Sequence, residues 1–155
     1  MLTLSLLILT CSLASAQKRS YTTSEREVIT VIDQLFDAMR RGDSTALRKV
    51  FHSTARMQTT FLDKNSREPR LSTQASPDKF IQAVGTPHDE VWNEVVLDYT
   101  ILIDDQLATV WTPYEFYRGD TFSHCGVNAF HLFKSKEGWK ITQITDTRRQ
   151  EGCKK

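Results

Sequence analysis

Scarcity comes first in this chain: 6 glycines, 4 prolines and 3 cysteines in 155 residues exclude a collagen-like repeat, a low-complexity linker and a small scaffold held by several disulfides. Neither sign of charge dominates. The 20 basic and 19 acidic residues are mixed along the chain for a net charge of +1, so no electrostatic footprint for nucleic acid or anionic lipid exists and no polyanion partner is expected. No G-x-S-x-G, phosphate loop or dinucleotide fingerprint occurs, which leaves no cofactor to expect. His52, His88 and His131 lack the spacing of a metal set, which needs three or four converging ligands, so no metal site is expected either. What is present, 39% hydrophobic and 10% aromatic residues, suits one globular domain that buries roughly 68% of its unfolded surface.

Residues Met1–Ala16 carry no charged side chain, run apolar from Leu2 to Leu13, and end in Ala14-Ser15-Ala16. This small-x-small ending predicts a signal peptide over 1–16, although the usual basic start is missing. The expected organisation is a leader at 1–16, a short arm at 17–23 and a single domain over 24–153, exported to the periplasm or beyond. The apolar run is far shorter than the ~20 residues a bilayer span needs, so no membrane span is expected. Thr10 before Cys11 is a poor match to lipoprotein processing. Removal of the leader leaves Cys125 and Cys153 in a compartment that permits disulfides. They either bridge, which requires Cα atoms within ~7 Å, or remain two thiols.

Hydrophobic periodicity orders the domain. Ser24 to Glu27 is an S-x-x-E capping box, and Val28, Val31, Ile32, Leu35, Phe36 and Met39 follow at helical spacing until Arg40-Arg41-Gly42. Asp43 caps a shorter helix with Ala46, Leu47, Val50 and Phe51 on its apolar side. A loop at His52-Ser53-Thr54, a strand over Ala55 to Leu62, a turn at Asp63 to Ser66 and a weak strand around Arg70 to Thr73 follow. Ser76-Pro77-Asp78 opens a third helix that buries Phe80, Ala83 and Val84. Val91 to Ile103 alternates with its odd positions apolar, and Leu107 to Arg118, Thr121 to Lys134 and Trp139 to Arg149 complete an antiparallel meander with tight turns.

The order helix, helix, strand, hairpin, helix, long meander, with Asp33-Gln34-Leu35-Phe36-Asp37-Ala38-Met39, Gly42-Asp43 and Gly138-Trp139-Lys140-Ile141, resembles the nuclear transport factor 2-like superfamily. Trp111-Thr112-Pro113-Tyr114-Glu115-Phe116-Tyr117 and His124-Cys125-Gly126 are similar to its exported bacterial subgroup of the putative lumazine-binding, SnoaL-like type. The resemblance implies an α+β fold in which a curved, mostly antiparallel sheet wraps an N-terminal helix, with two shorter helices, around a cone-shaped pocket. It does not select a role, because the superfamily holds isomerases, dehydratases, transport adaptors and members without known activity.

Counting back from a two-residue loop at Gly119-Asp120 pairs Tyr117 with Phe122, Glu115 with His124, and Trp111 with Asn128 on one face. On this count Glu115 orients the His124 imidazole, the arrangement a general base needs. The other face holds Tyr114, Phe116, Cys125, Val127, Ala129 and Phe133, and which face is covered stays open. Asp146-Thr147-Arg148-Arg149 either grips an anionic or carbonyl ligand through a guanidinium fork or closes on itself as a salt bridge. The leading expectation is a small-molecule-binding domain: Trp111, Tyr117, Phe122 and Phe130 give apolar contact, and His124, Glu115, Asn128 and Arg148 orient polar groups. The alternatives are a cofactor-free lyase or isomerase with His124 as base, oriented by Glu115 or Asp146, and a non-catalytic module that forms a homodimer through its sheet. Arg118-Gly119-Asp120 is read as a turn, without an adhesion role.

Overall fold

A computed structural model describes residues 20–72 and 76–153. The expected leader and Thr73 lie outside the described residues. Helix α1 (Thr23–Arg41) begins earlier than the Ser24 box: the cap is Thr22, whose hydroxyl accepts the Glu25 amide at 3.2 Å while the Glu25 carboxylate accepts the Thr22 amide at 2.7 Å. Thr22 and Ser24 both satisfy the box pattern. The upstream choice also gains the Arg26 to Thr22 backbone bond, and a reciprocal cap of this kind stabilises a helix by ~1 kcal/mol. Gly42 ends α1 in the left-handed region with φ 67°, where a side chain would be strained. Asp43 then caps α2 (Ser44–Val50) by accepting the Ala46 amide at 2.8 Å.

Strand β1 (Phe51–Leu62) starts directly after α2, without the expected loop. Its pairing slips between Phe51 and Arg56, so His52 to Thr54 form an irregular part of the strand. β2 (Pro69–Leu71) and α3 (Asp78–Gly85) follow; α3 buries Ile81 and Val84 and turns Phe80 and Ala83 toward a cavity. The stretch expected as one strand is two, β3 (Trp92–Val96) and β4 (Thr100–Asp104), which both pair with β5 (Leu107–Arg118). β6 (Thr121–Ser135) and β7 (Gly138–Thr147) complete the sheet. Strand order is β2-β1-β7-β6-β5-β3 with β4 also on β5; β1 and β7 run parallel and all other pairs antiparallel.

The break at Leu97-Asp98-Tyr99 reverses parity. In β4 the odd residue Ile101 is buried as alternation predicts, but in β3 the odd residue Val95 and, just beyond it, Leu97 are 39% and 44% exposed. Trp92 and Glu94 turn inward instead. The sheet curls around α1, whose Val28, Ile32, Leu35, Ala38 and Met39 are buried against Val110, Phe130, Leu132, Ile141 and Ile144. Phe36 meets Phe130 edge to face at 6.2 Å. This architecture is the α+β cone that the resemblance implies, a curved and mostly antiparallel sheet around α1 with two shorter helices.

Candidate functional site

The β5–β6 hairpin does turn at Gly119-Asp120, and Arg118 pairs with Thr121 and Tyr117 with Phe122. One residue further the count fails. Ser123 is extra in β6, so Phe116 pairs with His124, Glu115 with Cys125, and Thr112 with Asn128. Such a bulge sends every later side chain of its strand to the opposite face. His124, Asn128 and Phe130 therefore share the inner face with Tyr114 and Phe116. Glu115, Trp111, Tyr117 and Phe122 do not. Trp111 and Phe122 are 52% and 39% exposed, and the Tyr117 hydroxyl donates to Glu115 at 2.7 Å beside the Phe122 ring, a cluster of its own on the outer face. Glu115 thus cannot orient His124, and the aromatic contacts expected of Trp111, Tyr117 and Phe122 fall to other rings.

Those rings line a cavity of about 340 Å³ between α1, α3 and the sheet, within the size range of small-molecule sites. Phe36 and Met39 come from α1, Phe80 from α3, Trp92 from β3, Phe116 from β5 and Phe130 from β6. His124 lies against Phe116 with ring centroids 4.9 Å apart and meets Tyr114 edge-on at 5.8 Å, while its Nδ1 is 3.1 Å from Ser123 Oγ. His52 and His131 are not part of this wall. His88 stacks on Trp92 at 4.3 Å, outside it. Among the described residues no three His, Cys, Asp or Glu side chains gather as a metal set.

Polar groups converge on one side. Asn128 donates to the Glu94 carboxyl at 2.7 Å, Arg148 Nε donates to Asp146 at 2.8 Å, and the Tyr114 hydroxyl donates to the Thr147 carbonyl at 2.9 Å. Of the two readings of this strand end, the salt bridge is the one present: Asp146 and Arg148 are an ion pair, and both side chains line the cavity with His124. Gly126 makes the Tyr114 bond possible. A Cβ there would stand 1.8 Å from the Thr147 carbonyl oxygen and 2.8 Å from the Tyr114 ring, so only a bare Cα lets ring and strand approach this closely. Cys125 and Cys153 are bridged with Cα atoms 5.8 Å apart, and Cys125 also exchanges both backbone hydrogen bonds with Arg149. The segment bearing Arg148 is thereby pinned to β6 next to His124.

Burial and neighbours set the charge states. Desolvation pushes the Glu94 carboxyl up to about 8, with Asp146 adding to the rise and the Asn128 amide and Arg148 opposing it. Glu94 is therefore mostly a neutral acid at pH 7, able to donate a hydrogen bond. Burial lowers the His124 pKa, helped by Arg148 and Arg118, so the imidazole is neutral as well. Tyr114 is raised by burial and then by Asp146 and Glu94. Burial works against the Arg148 charge, but Asp146, Tyr114 and Glu94 together outweigh it and the net shift is upward.

Glu94, Trp92, Tyr114 and Phe116 are site residues that sequence reasoning missed, as are Phe80, Lys79 and Arg118 at the cavity lining. Glu94 and Trp92 sit at even positions of a stretch whose odd positions are apolar, which reads as the wet side of a strand. A glutamate two residues from a tryptophan on that same side was the one signal available.

The sequence profile of the family described as "Putative lumazine-binding" matches residues 23–145. No curated protein matches the chain in sequence. Among solved structures, a nuclear transport factor 2-like protein with a cystatin-like fold from Novosphingobium aromaticivorans superposes with TM-score 0.63 at 12% identity, covering 84% of each chain. A protein described as a putative dehydratase from Streptomyces avermitilis gives 0.57 at 12% identity, with 80% of this chain and 94% of that one covered. One described as a putative ketosteroid isomerase from Shewanella frigidimarina gives 0.56 at 13% identity, with 82% and 99% covered. At such identities the likeness is one of fold.

Proposed function

Because the chain belongs to the lumazine-binding family of nuclear transport factor 2-like proteins, we propose that it is an exported domain that binds a small molecule in its cone. The observation that carries this reading is the cavity itself: aromatic walls from five elements and a neutral carboxyl, an amide, an imidazole and a guanidinium aimed into one space. Trp92, Phe116 and Phe130 supply apolar contact, and His124, Glu94, Asn128 and Arg148 orient polar groups. The sequence at 1–16 supports export, and the Cys125–Cys153 bridge is consistent with an oxidising compartment. The test is a thermal-shift screen of the domain against small metabolites. Wild type should respond to a compound that neither His124→Ala nor Trp92→Ala binds; a broad screen without a hit refutes the reading.

One observation favours a second reading, a cofactor-free lyase or isomerase. Glu94 as a neutral acid and His124 as a neutral base face the same cavity, the opposed protonation states that proton transfer at a carbonyl-bearing substrate requires. It predicts turnover with a bell-shaped pH profile that His124→Gln abolishes while binding survives. We also propose self-association through the outer sheet face, where Leu102 and Trp111 stand 69% and 52% exposed.

A further inference from the structure

The charges around the cavity are unevenly matched. Lys79 from α3, Arg118 at the end of β5 and Arg148 beyond β7 all line it, against two acids, Asp146 and Glu94. Asp146 is taken up by Arg148 through Nε. The side chains of Arg118 and Lys79 form no hydrogen bond or ion pair with another described residue. Arg118 and Arg148 both act on the His124 imidazole electrostatically, and all three line the same cavity. Glu94 adds no full negative charge at neutral pH, since burial keeps its proton on. The lining of an otherwise near-neutral protein thus holds three basic side chains, one of them ion-paired with Asp146, and a concave wall concentrates their field inside it.

We propose that the ligand is a small planar aromatic carboxylate, its ring held against Trp92, Phe116 and Phe80 and its negative group met at the rim by Arg118, Lys79 and the free end of the Arg148 guanidinium. The inference rests on the small-molecule reading and narrows it to a chemical class. A neutral ring of the same size gains the stacking but not the rim contacts. Guanidinium suits this duty because its planar fork can bind two carboxylate oxygens in parallel. Glu94 and Asn128, deeper in the wall, then remain for a carbonyl or hydroxyl at the far end of the ring.

The experiment uses a matched pair of probes, 2-naphthoate and 2-naphthamide, titrated calorimetrically into wild type, Arg118→Gln, Lys79→Gln and the double variant. Neither altered side chain bonds another described residue, and far-UV circular dichroism verifies that the fold is retained. Naphthoate should bind about tenfold tighter than the amide, a difference of ~1.4 kcal/mol. The double variant should lose roughly that tenfold for naphthoate and less than about twofold for the amide, and the naphthoate advantage should shrink with added salt. Equal affinity for the two probes, or a preference unchanged in the double variant, overturns the anionic class while leaving the binding reading intact. If neither probe binds and the metabolite screen finds a neutral ligand, the anionic class is again overturned. If both experiments are blank, both readings fall.

Discussion

Replacing Glu94 by glutamine removes a titration without removing a shape. The Asn128 amide that donates to Glu94 at 2.7 Å can donate equally to the glutamine carbonyl, so the variant imitates the protonated acid. In the native protein the carboxyl holds its proton up to about 8, whereas the unfolded chain releases it near the ordinary glutamate value of ~4.3. Between those two points the folded state binds more protons than the unfolded state, so stability falls as pH rises, by ~1.4 kcal/mol per unit from this group. Across the whole window this amounts to about 5 kcal/mol, reduced where water enters the cavity. Below the unfolded value the contribution vanishes. Urea denaturation of both proteins from pH 5 to pH 8.5 measures it, because all other titrating groups are common to the pair. Glu94→Gln should gain on wild type by about 2–4 kcal/mol over that range. Curves that run parallel would refute the assignment of Glu94 as a neutral buried acid.

Gly126→Ala should be far costlier than a surface change, because the new methyl cannot coexist with the Thr147 carbonyl oxygen 1.8 Å away; a loss of about 3–5 kcal/mol in urea is expected, and a loss below ~1 kcal/mol would contradict the close approach. Reduction of the Cys125–Cys153 bridge, which closes a separation of 28 residues, should cost ~3 kcal/mol through unfolded-chain entropy, read as a lower urea midpoint in dithiothreitol; an unchanged midpoint argues that the two thiols are not joined. If the outer face joins two copies, Trp111→Glu should sediment as a monomer where wild type does not, and a monomeric wild type ends that proposal.

Much of the fold was legible because it rests on local chemistry. The α1 periodicity, the glycine stop at Gly42, the Asp43 cap and the Gly119-Asp120 turn each state their own geometry within a few residues. The site was less legible because it depends on parity, and parity is lost at a single extra residue. Ser123 carries no mark of a bulge, and the apolar Cys125 that follows lies on the outer side yet is buried, so burial could not expose the slip. His124, Asn128, Phe130, Asp146 and Arg148 reach the cavity, but Glu115, Trp111, Tyr117 and Phe122, which a count without the bulge puts on the His124 face, lie on the outer one. The break at Leu97 to Tyr99 hid Glu94 in the same way, since it reverses the alternation between two strands that look continuous in sequence.

The parallel seam between β1 and β7 brings Phe51 beside Ile141 and Thr60 beside Thr147. A chain that emerges from its N-terminus must therefore hold about ninety residues in waiting before the first long strand acquires its principal neighbour, a slow closure by the standards of local hairpins. Until then the apolar stripe of α1 has only half a wall to lean on. Cutting the chain after β6 would leave an unzipped sheet rather than a smaller domain, so the 10 residues of β7 decide whether α1 has anywhere to fold.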